Sequence, residues 1–206
     1  MWNRFPTAHA RAPLFLLATA LLMSCAPSGD GPGDSAEQAE SDATLVAPII
    51  TELLRDVAGV EEKLIALAVA LDGEQYAWQP GEGVRSAAQV FMHVAAINYF
   101  SPMIAGHEPP ESTGISAEDP YTTFPAYEAS LADKEPILSE LRASFENLRT
   151  AIESTTASEL DRSVEVFGET VTLRYLWVGH AGHLHEHLGQ MIAYARMNGV
   201  VPPWSQ

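Results

Sequence analysis

Apolar residues in this chain recur at steps of three and four, and no segment sustains a strand pattern, so the fold is confined to helices packed on helices. Between Pro48 and Leu71 the stripe is Ile50, Leu53, Val57, Val60, Leu64, Leu67 and Leu71, the spacing that returns a side chain to one helix face every turn. Gly59 is a weak point in its middle, and Asp72-Gly73 stops it. A connector from Glu74 to Val84 follows, with Tyr76, Trp78 and Pro80 expected to cover the bundle end.

A second helix is expected from Ser86, where Ser86-Ala-Ala-Gln89 has capping-box form, to about Phe100. His93 shares a face there with Gln89, Val90, Ile97 and Phe100, and that face points into the core. Ser101 to Pro125, punctuated by Gly106, Pro109-Pro110, Gly114 and Pro120, reads as a long loop over one bundle end, placed to act as a lid. His107 within it reads as a surface residue. A third helix runs from Asp133, its expected N-cap, to Glu153, with Pro136 tolerated in the first turn. Leu138, Leu141, Phe145, Leu148 and Ile152 form its buried stripe; Glu140, Arg142, Glu146, Asn147 and Arg149 form a solvated face. Val164 to Val171 alternates around Gly168 as a small hairpin. The fourth helix, about Leu173 to Met197, is capped by Thr170 or Thr172 and ended by Asn198-Gly199. The sum is an all-α four-helix bundle.

Charge narrows the function classes. The chain carries 27 acidic against 11 basic residues, a formal net charge of −16 over 206 residues, which disfavours nucleic acid because phosphate binding needs Lys and Arg. Arg4 and Arg11 precede the apolar run Pro13 to Met23, too short to span a bilayer. Leu22-Met23-Ser24-Cys25 then has lipobox form, although Met23 replaces the usual small or β-branched residue; the alternative is an ordinary secretory signal cut just beyond Cys25. The expectation is an exported protein, residues 1–24 a signal peptide, lipidated at Cys25 and so membrane-anchored at the cell envelope on the periplasmic side. Cys25 is the single cysteine, so no disulfide or catalytic thiolate remains. Ala26 to Thr44, rich in Gly, Ser, Pro, Asp and Glu, is expected to be a disordered tether to a domain of residues 45–206.

The chemistry concentrates in His180-Ala-Gly-His183-Leu-His185-Glu-His187-Leu-Gly-Gln190, which holds four of the seven histidines. His183 and His187, four apart on a helix, share a face with Cβ atoms about 5–6 Å apart, and two such imidazoles can converge on one cation at about 2.0–2.1 Å. One helix cannot close a site, and His93, core-facing on the second helix, is the available third ligand. Three protein ligands with an open position is a catalytic rather than structural pattern for zinc. Imidazole also suits nickel, copper and iron, so spacing does not name the metal. A His-rich exposed face, or hydrogen-bonded core histidines, is the bland alternative. His180 lies on the same face as a further ligand, a supporting group or a general base. His185 and Glu186 read as exposed.

Trp78-Gln-Pro80, Val84-Arg85-Ser86 through Gln89 to His93, and His183-x-x-x-His187-x-Gly-Gln190 through Tyr194 together resemble the DinB/YfiT-like family, over about residues 50–204. Leu188 stands where an Arg is common before Gly-Gln. The resemblance implies a four-helix bundle binding a divalent metal, zinc or nickel, through three histidines, here His93, His183 and His187. Characterised members similar in fold include thiol-dependent S-transferases and a thiol-dependent isomerase, so the resemblance implies a metal-activated thiol or water attacking a small electrophilic substrate. The competing reading is a non-catalytic metal-binding or interaction lipoprotein. The sequence leaves open pairing into a homodimer.

Overall fold

The computed structural model describes the backbone of residues 33–205 and the side chains of residues 48–205. Cys25, its signal segment and the first part of the expected tether lie outside the described residues. Four long helices carry the fold: α1 (Gly33–Ala70), α3 (Ala87–Ala105), α5 (Lys134–Ser154) and α6 (Leu173–Met197). Helix α1 packs on α5 and α6, and α3 packs on the same two, so the four form a closed square with one core. Short α2 (Gly73–Tyr76) and α4 (Pro120–Glu128) fill connections, and β1 (Ser163–Val166) pairs antiparallel with β2 (Glu169–Thr172). The four-helix bundle and the small hairpin are both present.

Helix α1 begins at Gly33 rather than near Pro48. The added segment is led by Ala and Glu, strong helix formers that extend a helix once its apolar part is docked. Val57, Val60, Leu64, Leu67 and Leu71 are buried as the stripe requires. Its last carbonyls would be orphaned, but Lys134 Nζ donates to the oxygens of Val69 (2.6 Å) and Leu71 (2.7 Å). Asp72 stops α1 and caps α2 in a reciprocal box with Gln75. Tyr76 is fully buried, its hydroxyl donating to Ala68 O, and Trp78 packs edge-on against Tyr194.

Helix α3 is apolar all round and almost wholly buried, which makes it the central helix. Ser86 and Gln89 form the expected capping box. The helix runs past Phe100 to Ala105, through Pro102. A proline there removes the amide that would bond Asn98 O, and Asn147 Nδ2 from α5 donates to that oxygen instead, at 3.2 Å. The helix then ends at Gly106, whose φ of 103° suits the left-handed cap.

The stretch expected to be a long lid is therefore shorter and more ordered. After a 3₁₀ turn at Glu111–Thr113, Asp119 caps α4 through Thr122 N and Pro120 opens it. Proline reads as a breaker in sequence but is favoured at the first helical position. Phe124, Tyr127 and Glu128 are buried, and α4 lies fixed against α3.

Helix α5 buries its stripe as expected, but Asp133 sits at the cap without a side-chain bond. Its polar face is less idle than expected: Glu140 accepts from Tyr127 Oη, Arg149 pairs with Glu61 on α1, and Asn147 serves Asn98. The hairpin turns through Phe167 and Gly168, both with positive φ (51° and 82°), the pattern of a two-residue turn matched to strand twist. Thr172 caps α6 through Tyr175 N.

Candidate metal centre

Where α3 crosses α6, three imidazoles meet. His93 Nε2 lies 3.2 Å from His183 Nε2, which lies 3.1 Å from His187 Nε2. His93 is buried; His183 and His187 are half-buried, so the site borders solvent. The three offer the single group of His, Cys, Asp or Glu, among the described residues, with ligand atoms close enough to hold a metal ion.

The ring orientations follow from what holds the far nitrogens. His93 Nδ1 donates to Glu128 Oε1 at 2.7 Å, which leaves its Nε2 lone pair facing the centre. His187 Nδ1 donates to Gln190 Oε1 at 2.8 Å with the same result. His183 Nε2 sits between those two lone pairs, while its Nδ1 is buried without a hydrogen-bond partner.

Those separations suit a cation. Four-coordinate zinc with Zn–N of about 2.0–2.1 Å and tetrahedral angles requires nitrogens roughly 3.3–3.4 Å apart. Two of the three pairs stand within a few tenths of an ångström of that. Three imidazole nitrogens form a donor set that fits zinc or nickel alike.

Electrostatics favours neutral His183 and His187. Burial, reinforced by the neighbouring histidines, pushes His183 down to about 2. Burial and then His93 lower His187 to about 4, partly offset by Gln190. Burial alone would raise the Glu128 carboxyl, but hydrogen bonds from His93 and Arg85 outweigh it and hold the group below its ordinary value. Arg85 donates to Glu128 through Nε (2.6 Å) and Nη2 (3.0 Å), so a buried carboxylate is paired on both sides.

His180 stands apart from the three. Asn98 Oδ1 can only accept, so His180 Nε2 donates to it (3.0 Å), and Nδ1 accepts from Ser101 Oγ (2.8 Å). Both ring nitrogens are thus occupied, and burial lowers its pKa to about 3. His185 is exposed and bonds Asp56 on α1, and Glu186 is exposed. His107 is half-buried against Ser154. Leu188 is buried in the core. Sequence reasoning missed Glu128 and Arg85. Arg85 stood inside a quoted motif without a role, and Glu128 followed a stretch dominated by turn residues, with nothing to mark it as inward-facing.

The family model of the DinB superfamily matches residues 57–191, more than half of the chain. The chain belongs to the DinB superfamily. A DinB-like protein from Bacillus subtilis has a similar solved structure, with a TM-score of 0.57 at 20% identity, over 75% of this chain and 98% of that one. One from Bacillus cereus gives a TM-score of 0.60 at 16% identity, over 73% and 93%. At such identities the likeness carries the DinB-like fold alone. No curated protein matches the sequence.

Proposed function

We propose that this DinB-superfamily protein is a divalent-metal-dependent enzyme whose ion is held by His93, His183 and His187. The observation that carries the reading is the convergence of three Nε2 atoms, with separations of 3.1 and 3.2 Å, at the solvent border of the α3–α6 interface. With three histidines in the group and no fourth His, Cys, Asp or Glu beside them among the described residues, a four-coordinate ion would keep one position for an exogenous ligand. A bound zinc or nickel ion would lower the pKa of a thiol or water there, making it a nucleophile toward a small electrophile. The chain's own part is to present lone pairs and exclude protons. The depressed pKa values keep His183 and His187 neutral at pH 7, and Glu128 and Gln190 retain the ring protons of His93 and His187 at Nδ1. His180, with both nitrogens engaged, belongs to the core in this reading. Substrate is a small molecule, by transfer to a thiol or by hydrolysis, and nucleic acid is not a partner of so acidic a chain. A lipidated Cys25 would tether the domain at the cell envelope, and Cys25→Ala should then release it from membranes.

The test is metal analysis of the purified full chain, followed by a screen of thiol and hydrolytic substrates. About one zinc or nickel per chain, with water that exchanges at the ion, supports an enzyme. A stoichiometric ion with a closed coordination sphere favours a metal-binding lipoprotein without turnover. Absence of stoichiometric metal after loading with either ion would refute the site.

A further inference from the structure

Two of the three ligand histidines are held from behind by chains of hydrogen bonds that end on the same residue. From His93 the chain runs Nδ1 to Glu128 Oε1 (2.7 Å), and Glu128 is gripped by Arg85 Nε and Nη2 (2.6 and 3.0 Å). From His187 it runs Nδ1 to Gln190 Oε1 (2.8 Å), Gln190 Nε2 to Tyr194 Oη (3.0 Å), and Tyr194 Oη to the backbone oxygen of Arg85 (3.1 Å). Arg85 thus serves one ligand with its guanidinium and the other with its carbonyl. Its backbone is fixed in turn, because it directly precedes Ser86, whose capping box anchors α3, and the following amide of Ala87 bonds Trp78 O. His183 has no such support at Nδ1.

The geometry points to Arg85 as the joint positioning residue of the metal centre, aiming His93 through Glu128 and His187 through Tyr194 and Gln190. It touches no metal itself. A charged fork on a carboxylate is the stronger arm, because charge-assisted bonds exceed neutral ones; the Tyr194 arm is neutral and longer. Partners of this kind fix ring orientation and tautomer and so set metal affinity. The inference also gives α4 a role, since its last residue, Glu128, is the intermediate of the stronger arm.

This inference rests on the metal reading above, and the experiment separates the two. Zn²⁺ affinity of the full chain is measured by competition with a chromogenic chelator, beside imidazole ¹⁵N spectra of the metal-free protein that report which His93 nitrogen carries the proton. Glu128→Ala should weaken Zn²⁺ about 10–100-fold, Arg85→Ala about tenfold, and Tyr194→Phe roughly 2–10-fold, the loss of one neutral hydrogen bond. Glu128→Gln, which keeps an acceptor for Nδ1–H, should recover part of the loss. Arg85→Ala removes the guanidinium and keeps the carbonyl that Tyr194 uses, so Tyr194→Phe should cost the same factor in that background. Glu128→Ala should cost less there than in the parent, and strictly additive Arg85→Ala and Glu128→Ala effects would sink the guanidinium arm. Folded Glu128→Ala and Arg85→Ala proteins that bind Zn²⁺ within twofold of the parent would overturn the inference, whatever their melting temperatures. If the parent binds no Zn²⁺, the metal reading falls on its own. The spectra then decide: a His93 proton that leaves Nδ1 in Glu128→Ala but stays there in Glu128→Gln upholds the positioning, and an unchanged tautomer in Glu128→Ala refutes it.

Discussion

Two histidine clusters sit side by side where α3 meets α6, and they are built on opposite rules. Around His180 the network closes. Its Nε2 donates to Asn98, its Nδ1 accepts from Ser101, Asn98 Nδ2 donates to Ser144, and Ser144 donates to Leu141 O. Around His93, His183 and His187 it stays open: the outer nitrogens of two rings are anchored, and all three Nε2 atoms face one another. His180 and His183 are one helical turn apart, and His180 and His93 are both buried, so neither position nor burial separates the two roles. Polar satisfaction does. A ring whose two nitrogens both bond other core side chains is part of the core, whereas three rings whose Nε2 atoms meet only one another leave those atoms to a cation.

The largest effects should come from removing the open cluster's donors. His93→Ala, His183→Ala or His187→Ala should each cut bound Zn²⁺ from about one ion per chain to under a tenth at equal loading, as two imidazoles cannot replace a three-ligand set. Metal analysis after gel filtration reads this. His180→Ala is the matched control. It should retain stoichiometric metal in its folded fraction while losing about 2–4 kcal/mol of stability in urea titration, from a cavity and two stranded polar groups. A His180→Ala protein that folds normally and loses its metal would erase the distinction between the clusters.

Acid should strain both clusters in the metal-free protein. Burial places His180, His183 and His187 near 3, 2 and 4, against an ordinary value of 6.5. Between those limits the unfolded chain binds protons that the folded one refuses, so stability rises with pH. It is complete above about 6.5 and falls as pH drops toward the folded values. The lowered Glu128 acts in the same direction further down, its share being lost below its ordinary value of 4.5. The melting temperature of chelator-treated protein should therefore fall steadily from pH 7 to pH 5. Saturating Zn²⁺ at pH 7 should raise it, by an amount equivalent to about 2.7 kcal/mol at a hundred times Kd. A melting temperature that stays flat from pH 7 to pH 5 would mean that the rings are not desolvated as the fold implies.

Much of this was legible beforehand because it rests on local rules. The 3-and-4 stripes of α1 and α5, the Ser86 box and the Phe167-Gly168 turn depend only on neighbours in sequence. The i, i+4 spacing of His183 and His187 fixed their shared face, and the apolar company of His93 aimed it inward. What stayed hidden was non-local. The expected end of α3 near Phe100 was too early because nothing nearby in sequence says that Asn147, 49 residues on from Asn98, will satisfy the carbonyl freed by Pro102. Glu128, between the expected loop and the third helix, carried no reading at all, because its burial is licensed by Arg85, 43 residues earlier. Buried charge is legible only together with its partner, and the partner is a tertiary fact.

The smallest expected effect makes the sharpest test of the closed cluster. Ser101 supplies one hydrogen bond to His180 Nδ1 and lies on α3 two turns beyond His93. Ser101→Ala removes that donor and leaves a buried lone pair, which should cost about 1 kcal/mol and at most about 3 if nothing rearranges. His180 then has a choice that the parent denies it. It keeps Nε2–H on Asn98, the only arrangement that satisfies an acceptor-only oxygen, so its tautomer should not change and Zn²⁺ affinity should stay within twofold. Imidazole ¹⁵N shifts and a chelator competition read both. If Ser101→Ala instead altered Zn²⁺ affinity severalfold, His180 would be communicating with His183 across their shared turn, and the two clusters would have to be treated as one site.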